Sequence, residues 1–325
     1  MSTVSSSPDT LKVRVRAVTW EAASILGFEL VPMPPAAALP AFTAGAHVDL
    51  HLPGGLVRSY SLLNDPRETH RYCIGVNLDA KSRGGSRYMH EGLHAGSVLT
   101  ISAPRNHFPL DESSPFNVFI AGGIGITPML SMIARSNALG TPWRLHYAAR
   151  TREYAAFLGL TESMKASDGD VRLNFDQEPG GQMLDLAAVV AAMPEGSHVY
   201  CCGPLPMLHS FEAATAGLPP HRAHREYFAA PEASAPAGGF TVELARSGRQ
   251  IEIQAGQSIL DALIAQGVDV PYSCGQGVCG TCEVRVLEGT ADHRDFVMSP
   301  AEQEANDRLM ICCSGAKSAR LVLDL

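Results

Sequence analysis

Hydrophobic and polar residues alternate in short runs through the first third of the chain. Between Leu11 and Pro109 these runs read LKVRVRAV, HVDLHL, RSYSLL, YCIGVNL and SVLTISAP. Glycine and proline separate them, which is typical of strands joined by turns. The pattern predicts an antiparallel barrel or sandwich over residues 1–110.

The pattern changes over residues 111–229, where apolar strands alternate with helical segments. FNVFIAGG is a buried strand that ends in glycines, and TPMLSMIARSNALG has apolar residues at helical spacing. Further strands are predicted at WRLHYAAR, VRLNF and SHVYCCGP. Alternation of strand and helix predicts an α/β domain with a parallel sheet.

A linker and a third, smaller domain follow. Residues 230–238 read APEASAPAG, which has no period and is typical of an interdomain linker. In residues 239–325, FTVELARSGRQIEI predicts two strands around a turn at Ser247–Gly248, and SILDALIAQG predicts a short amphipathic helix. The chain is therefore expected to be multidomain.

The net charge of the chain argues against one class of partner. The 325 residues carry a formal net charge of −8, and the segment from Gly239 to Leu325 holds 12 acidic and 7 basic residues. Because nucleic-acid binding normally requires a basic face, we expect no nucleic-acid partner.

The N-terminus and the hydropathy pattern point to a cytoplasmic protein. MSTVSSSPDTLKVRV lacks the basic and apolar regions of a signal peptide, and no run reaches the 18 apolar residues of a membrane span. We therefore expect no membrane association. The eight cysteines are then expected to be thiols or metal ligands rather than disulfides.

Three of those cysteines lie in CGQGVCGTC, residues 274–282. Cys274, Cys279 and Cys282 have the spacing C-x4-C-x2-C, and Cys312 and Cys313 follow downstream. This is the plant-type [2Fe–2S] spacing. Three interleaved glycines would let backbone N–H groups approach sulfur: Gly275, Gly277 and Gly280. A zinc site would normally use two C-x2-C pairs, whereas only Cys279 and Cys282 form one here.

YSCGQGVCGTCEVRVLEG, with LMICCS downstream, resembles the plant-type ferredoxins. The resemblance implies a β-grasp [2Fe–2S] domain with Cys274, Cys279, Cys282 and Cys312 as ligands. LMIC is expected to end a strand, which would turn Cys313 to the opposite face.

RSYSLLN, residues 58–64, resembles the R-x-Y-[ST] signature of the ferredoxin–NADP reductase superfamily. The resemblance implies an antiparallel β-barrel that binds a flavin. Arg58 would hold a flavin phosphate, Tyr60 would stack on the ring, and Ser61 would bond near N5. An ordinary strand with a surface arginine is the alternative.

SRGGSRYMHEGL, residues 82–93, precedes a predicted helix and matches the second phosphate-binding stretch of the same superfamily. Gly84, Gly85 and Ser86 would supply backbone N–H groups and a hydroxyl. Lys81 and Arg83 could add positive charge. An ordinary turn at Gly84–Gly85 is the alternative.

AGGIGITPML, residues 121–130, lies between a strand and a helix, which is the context of a dinucleotide site. It departs from G-x-G-x-x-G but matches the G-G-x-G-x-T-P form of the superfamily. The resemblance implies that five residues contact the nicotinamide nucleotide: Gly122, Gly123, Gly125, Thr127 and Pro128.

YCCGPLPML, residues 200–208, matches the C-G-P-x-x-M stretch of the same domain. By resemblance, Cys202 lies beside the nicotinamide C4, and Gly203 and Pro204 shape the turn. In EYF, residues 226–228, the resemblance places Phe228 against the flavin, with Tyr227 as the rival. A buried structural role is the alternative for Cys202.

The choice between NADH and NADPH stays open. No acidic residue follows the YAAR strand to bind a ribose 2′-OH, and Arg150 and Arg152 could instead receive a 2′-phosphate. The family resemblance favours NADH.

The order of the three blocks resembles the phthalate dioxygenase reductase family, whose members use FMN. The resemblance implies the reductase component of a two-component Rieske-type aromatic-ring dioxygenase or O-demethylase. Electrons would pass from NADH through FMN and [2Fe–2S] to a separate Rieske-type terminal oxygenase, and the reductase would be a monomer. The alternatives are a reductase for another acceptor, such as a cytochrome P450, and a non-enzymatic [2Fe–2S] sensor.

Overall fold

The computed structural model describes residues 10–80, 82, 84–165, 169–228, 238–272 and 274–325. The chain divides into two compact units, one ending at Glu226 and the other beginning at Tyr227. Among the described residues, no helix is long and apolar enough to cross a membrane.

The first unit begins with a six-stranded antiparallel sheet and one short helix. Its elements are β1 (Thr10–Ala22), β2 (Ile25–Pro32), β3 (His47–Leu52), β4 (Leu56–Ser61), β5 (Tyr72–Asn77), α1 (Gly85–Glu91) and β6 (Val98–Ser102). The strand order is β4-β3-β6-β1-β2-β5. Leu62, which follows β4, bridges to Ile74 in β5, so the two outermost strands of that order also touch.

Alternation along β1 explains the core of this sheet. Val13 and Val15 are fully buried, while Arg14 and Arg16 between and beside them are exposed. Successive side chains in a strand point to opposite faces, so this sequence buries one face only.

The rest of the first unit is a five-stranded parallel sheet with helices. Its elements are β7 (Asn117–Gly122), α2 (Ile126–Leu139), β8 (Trp143–Ala149), α3 (Leu158–Ser163), β9 (Gly169–Phe175), α4 (Leu186–Ala191), β10 (His198–Cys202), α5 (Leu205–Thr215) and β11 (Ala223–Glu226). The strand order is β11-β10-β7-β8-β9, and all four pairings are parallel.

Central strand β7 is buried along its whole length. Its apolar residues run consecutively because helices cover both faces of a parallel sheet. The order puts the carboxyl ends of β7 and β10 side by side, with Cys202 opposite Ala121.

The second unit is a smaller mixed sheet with two short helices. Its elements are β12 (Phe240–Leu244), β13 (Gln250–Ile253), α6 (Ile259–Ala265), β14 (Glu283–Glu288), β15 (Ala291–Asp292), α7 (Pro300–Ala305), β16 (Arg308–Met310), β17 (Gly315–Ala316) and β18 (Arg320–Leu323). The main sheet has the order β13-β12-β18-β14-β16, and β15 pairs with β17.

The antiparallel and parallel sheets expected from the sequence are both present. β12 and β13 also form the predicted hairpin around Ser247–Gly248. The strand expected to end at LMIC is shorter than predicted. β16 ends at Met310, and Cys312 lies in the turn after it. Strand alternation therefore does not decide which way Cys312 and Cys313 point.

Candidate functional site

β4 carries the three residues of the predicted flavin signature. Arg58 lies opposite Leu50 and Tyr60 opposite Val48 in the pairing with β3, and Ser61 at the strand end is buried. Tyr60 packs on the core of the antiparallel sheet. Burial raises the pKa of Tyr60 to about 12, against the opposite effect of the Arg58 charge, so the phenol stays neutral.

The Arg58 side chain lies against the start of α1. A Cβ added to Gly85 would be 2.6 Å from Arg58 Nε and 2.7 Å from its Cγ, so any larger residue would displace the arginine. Arg58 Nη1 also donates to the Val57 carbonyl at 2.8 Å. The fold therefore brings Arg58 to the glycine pair, and its role in binding a phosphate stays a prediction.

Ser82 organises this helix start and was not predicted as a site residue. Its hydroxyl accepts from the Gly84 and Arg87 backbone N–H groups at 3.2 and 3.3 Å. The Ser86 hydroxyl donates to it at 3.0 Å. A serine just before a glycine pair was the available sequence signal. Lys81 and Arg83 lie outside the described residues.

The glycine-rich turn after β7 packs directly on the turn after β10. A Cβ on Gly125 would be 2.1 Å from the Cys202 carbonyl oxygen, and one on Gly203 would be 3.1 Å from Gly122 Cα. A Cβ on Gly122 would meet Pro204 Cδ at 2.6 Å. Only glycine allows the two backbones to lie this close.

The remaining nucleotide residues close the same turn. The Thr127 hydroxyl donates to the Ile124 carbonyl at 3.0 Å. Pro128 is the third residue of α2, where a missing N–H costs no helical hydrogen bond. Gly123 has open space beside its Cα. The two sequence-predicted motifs thus meet at one edge of the parallel sheet.

Cys202 is fully buried and lies beside Glu226 in the ladder between β10 and β11. Burial raises the pKa of the Cys202 thiol well above its usual value, and the Glu226 charge adds to the effect. Glu226 is half-buried as a residue, yet its Oε2 is enclosed and has no hydrogen-bond partner among the described residues. Burial raises the pKa of Glu226 to about 8.

Glu226 was missed because a glutamate at the end of a strand carries no local signal. Only the parallel pairing of β10 with β11 puts it beside Cys202. Its pKa, raised to about 8, leaves the carboxyl mostly protonated at neutral pH, so a neutral group lies beside Cys202.

Arg150 has an acidic neighbour on the adjacent strand. The Gln177 N–H donates to the Arg150 carbonyl at 2.9 Å, and the Asp176 N–H donates to the Ala149 carbonyl at 3.3 Å. Asp176 Oδ1 is enclosed and has no hydrogen-bond partner in the described part of the chain. The acidic residue that binds a ribose 2′-OH is expected after β8, whereas Asp176 follows β9.

The two arginines of this edge lie over aromatic rings. The Arg150 guanidinium is 5.0 Å from the Tyr154 ring centre, and that of Arg152 is 5.3 Å from the Phe175 ring centre. The backbone N–H of Arg152 also donates to Glu178 Oε1 at 2.7 Å. Both guanidinium groups thus have local contacts near the end of β8.

The cysteine loop of the second unit wraps its sulfur atoms in backbone N–H groups. The Gln276 N–H donates to Cys274 Sγ at 3.2 Å, and the Gly277 N–H donates to Cys312 Sγ at 3.2 Å. The Cys274 thiol is within reach of the Cys279 and Cys312 thiols. Cys282 is buried in the same unit.

This arrangement fits a [2Fe–2S] cluster. Four cysteines at plant-type spacing would supply the thiolates, and N–H groups directed at sulfur are the bonds that tune such clusters. Cys313 Sγ lies near the Met310 carbonyl oxygen, at 3.7 Å, and near the Ser314 hydroxyl. Its thiol is also within reach of the Cys312 thiol, so Cys312 as the fourth ligand stays a prediction.

Phe228 and Tyr227 differ in environment within the second unit. Tyr227 is buried, and its ring centre lies 4.8 Å from that of Phe296. Phe228 is 42% exposed and thus available to a ligand. Its contact with a flavin stays a prediction.

Two known domain families match this chain. Residues 119–213 match an oxidoreductase NAD-binding domain, and residues 242–317 match a 2Fe-2S iron-sulfur cluster binding domain. The chain is an oxidoreductase that combines the two.

One relative and two solved structures extend the comparison over nearly the whole chain. The phenoxybenzoate dioxygenase subunit beta of Ectopseudomonas oleovorans is 57% identical over 97% of this chain and 97% of its own. An intact type IV self-sufficient cytochrome P450 monooxygenase is 36% identical over 97% of this chain, with a TM-score of 0.88. This chain covers only 41% of that larger protein.

The second structure is phthalate dioxygenase reductase, described as a modular structure for electron transfer from pyridine nucleotides to [2Fe-2S]. It is 39% identical over 97% of this chain and 98% of its own, with a TM-score of 0.71. Identity of this extent, over all the motifs described above, establishes that the chain belongs to the phthalate dioxygenase reductase family.

Proposed function

We propose that this chain is the reductase component of a two-component Rieske-type aromatic-ring dioxygenase or O-demethylase. One observation carries the proposal. A single chain holds both a glycine turn packed on Cys202 and a cysteine loop whose N–H groups point at sulfur. The first suits a pyridine nucleotide and the second a one-electron cluster.

The flavin site is proposed on the antiparallel sheet. The bridge between Leu62 and Ile74 supports a sheet closed into a barrel. Arg58, which lies beside Gly85, would bind the single phosphate of FMN. The Gly84 N–H now donates to the Ser82 hydroxyl and would have to break that bond before it could donate to the phosphate. Tyr60 would pack on the ring, and Ser61 would bond near N5. FMN, when bound, converts the electron pair from the nicotinamide into single electrons for the cluster.

The nicotinamide nucleotide is proposed to lie across the turns after β7 and β10. The contacting residues would be Gly122, Gly123, Gly125, Thr127, Pro128, Cys202, Gly203 and Pro204. Neutral Cys202 and protonated Glu226 would present no negative charge to the nicotinamide.

Asp176 supports a preference for NADH over NADPH. Its enclosed Oδ1 has no hydrogen-bond partner among the residues that the structure describes and could accept from a ribose 2′-OH, but it would repel a 2′-phosphate. Arg150 would then contact the same ribose or the adenine rather than select NADPH.

Asp176→Asn tests that preference. The KM for NADH should rise about 10-fold to 100-fold, as expected for losing a hydrogen bond to a charged acceptor, while the KM for NADPH should fall. Glu195→Gln, which removes an exposed carboxylate, is the matched control. Equal effects on the two coenzymes would remove Asp176 from the site.

The second unit is proposed to be a β-grasp domain that holds [2Fe–2S] through Cys274, Cys279, Cys282 and Cys312. Its acidic surplus supports docking on a basic surface of a separate oxygenase, at a rate that falls with salt. A monomeric reductase stays the expectation for this family.

A cytochrome P450 is the second candidate acceptor. The self-sufficient P450 that matches this chain is the observation in its favour. Both acceptors take single electrons, so this chain's own residues do not distinguish them. Rates of NADH-dependent reduction of a purified Rieske oxygenase and a purified P450 would separate the two.

The proposal as a whole is tested by anaerobic titration of the purified protein with NADH. Flavin and cluster absorption bands should bleach together, and the same sample should contain one FMN and two irons per chain. Cluster bands without flavin, or a flavin that NADH does not reduce, would contradict the proposal and favour a [2Fe–2S] sensor.

A further inference from the structure

A buried carboxylate lies against the cysteine loop of the second unit. The Asp295 side chain is 0% exposed. A Cβ added to Gly277 would be 3.2 Å from Asp295 Cα, 3.4 Å from its Cβ and 2.4 Å from Cys313 Sγ. Asp295 and Cys313 therefore both lie on the side of Gly277 where a Cβ would be, and the Gly277 N–H bonds the proposed ligand Cys312.

Backbone hydrogen bonds hold Asp295 in this place. The Phe296 N–H donates to the Gly277 carbonyl at 2.9 Å, and the Gly277 N–H donates to Cys312 Sγ at 3.2 Å. The Val297 and Met298 N–H groups donate to Asp295 Oδ1 at 3.1 and 2.8 Å. Two such donors to one oxygen stabilise a carboxylate.

The second oxygen of this carboxylate, Oδ2, accepts no such hydrogen bond from the described residues. Asp295 Oδ2 has no hydrogen-bond partner among the described residues, and neither ring nitrogen of His293 has one. His293 Nδ1 is 3.8 Å from Oδ2, beyond hydrogen-bonding distance. The whole Asp295 side chain is enclosed, and Met298, whose N–H bonds its other oxygen, is buried as well. Water therefore screens this charge poorly.

We propose that the buried Asp295 carboxylate lowers the reduction potential of the cluster held by the neighbouring cysteine loop. The inference rests on the proposed function, because it requires a [2Fe–2S] cluster at those cysteines. One electron added to such a cluster adds one negative charge. A fixed carboxylate nearby opposes that addition, and burial keeps the opposition strong. Asp295 is thus a positioning and electrostatic residue, not a catalytic one.

The test compares holoprotein variants by spectroelectrochemical titration at pH 8.5, above the ordinary titration range of histidine. Asp295→Asn should raise the ratio of reduced to oxidised cluster at a fixed potential about tenfold, a shift of about 59 mV for a one-electron couple. Asp307→Asn is the matched control, because it removes the same charge from a side chain that is 66% exposed. It should leave the ratio unchanged.

Iron content and the visible circular dichroism of the cluster are measured first. A wild-type protein without a cluster would contradict the proposed function itself. With the cluster present, equal ratios in Asp295→Asn and Asp307→Asn would overturn the role of Asp295.

Two further variants, Asp295→Ser and Asp295→Glu, keep the proposal testable if Asp295→Asn loses the cluster. Asp295→Ser is neutral and should raise the ratio, whereas Asp295→Glu keeps the charge and should remain near wild type. If both neutral variants lose the cluster and Asp295→Glu retains it, the carboxylate serves assembly and the electrostatic proposal is wrong.

Discussion

At the scale of single residues, the site depends on side chains whose neighbours come from distant parts of the chain. Arg58 lies over Gly85, and Cys202 lies beside Glu226. Arg58 and Gly85 come from two separate sequence motifs, whereas Glu226 belongs to no motif and is placed beside Cys202 by strand pairing alone. Substitutions at such positions should change one cofactor function at a time.

Arg58→Ala should weaken FMN binding. The change removes a charge-assisted phosphate contact worth about 1.5 to 3 kcal/mol, or roughly 10-fold to 100-fold in the dissociation constant. Fluorescence of released flavin on dilution measures it. Arg16→Ala, at a 64% exposed arginine, is the control. Unchanged flavin retention in Arg58→Ala would show that Arg58 does not bind the phosphate.

Cys279→Ser should remove the cluster and leave the flavin reaction intact. Iron content should fall to the background level, and reduction of cytochrome c, which needs the cluster, should be lost. NADH-driven reduction of ferricyanide by the flavin should persist. Cys73→Ser, outside the loop, should retain both activities. Full cytochrome c reduction in Cys279→Ser would make the proposed electron order wrong.

At the scale of elements, strand order creates the nucleotide site. β7 and β10 are adjacent although about 75 residues separate them in the sequence, and their parallel pairing puts two turns at one sheet edge. Neither turn alone makes the site. The pattern of apolar residues predicted β7, β8, β9, β10 and the helix after β7, but it did not predict β11 or which strands are neighbours.

Gly125→Ala tests the contact between these turns. The added Cβ would be 2.1 Å from the Cys202 carbonyl oxygen, so the backbone must move. We expect a loss of about 1 to 3 kcal/mol in the free energy of unfolding and a raised KM for NADH. Gly159→Ala, which adds a methyl into open space, is the control. Equal stability and KM in both variants would contradict the close packing.

At the scale of the whole molecule, buried histidines link the stability of the first unit to pH. Burial lowers the pKa of His146 and His224 to about 4 and lowers that of His198. His198 Nδ1 and His224 Nε2 are 3.0 Å apart, so the two rings share one hydrogen bond. Protonating both facing nitrogens would break it.

The first unit should therefore lose stability as the pH falls from about 6.5 to about 4. In this window the unfolded chain binds protons at these histidines and the folded chain does not. Glu226, with a pKa raised to about 8, acts in the opposite direction between about 4.5 and 8, but it is one group against three. The three histidines should dominate below pH 6.5.

Urea unfolding at pH 7 and pH 5 measures the effect. Both tryptophans, Trp20 and Trp143, belong to the first unit, so their fluorescence reports its unfolding. His224→Gln should reduce the difference in unfolding free energy between the two pH values. Greater stability at pH 5 than at pH 7 in the wild type would reverse the prediction.

Features that are local in the chain could be predicted from the amino-acid sequence. Alternation of apolar residues predicted the antiparallel and parallel sheets, and cysteine spacing predicted the cluster loop, because a few consecutive residues carry each signal. Which residues lie beside those motifs follows from the fold of the whole chain. Asp176 bonds the Ala149 carbonyl, Glu226 pairs with Cys202, and Asp295 lies against Gly277 through pairings of remote segments. Such pairings depend on strand order and loop packing. Because these minimise the free energy of the whole fold, they cannot be predicted from a few consecutive residues.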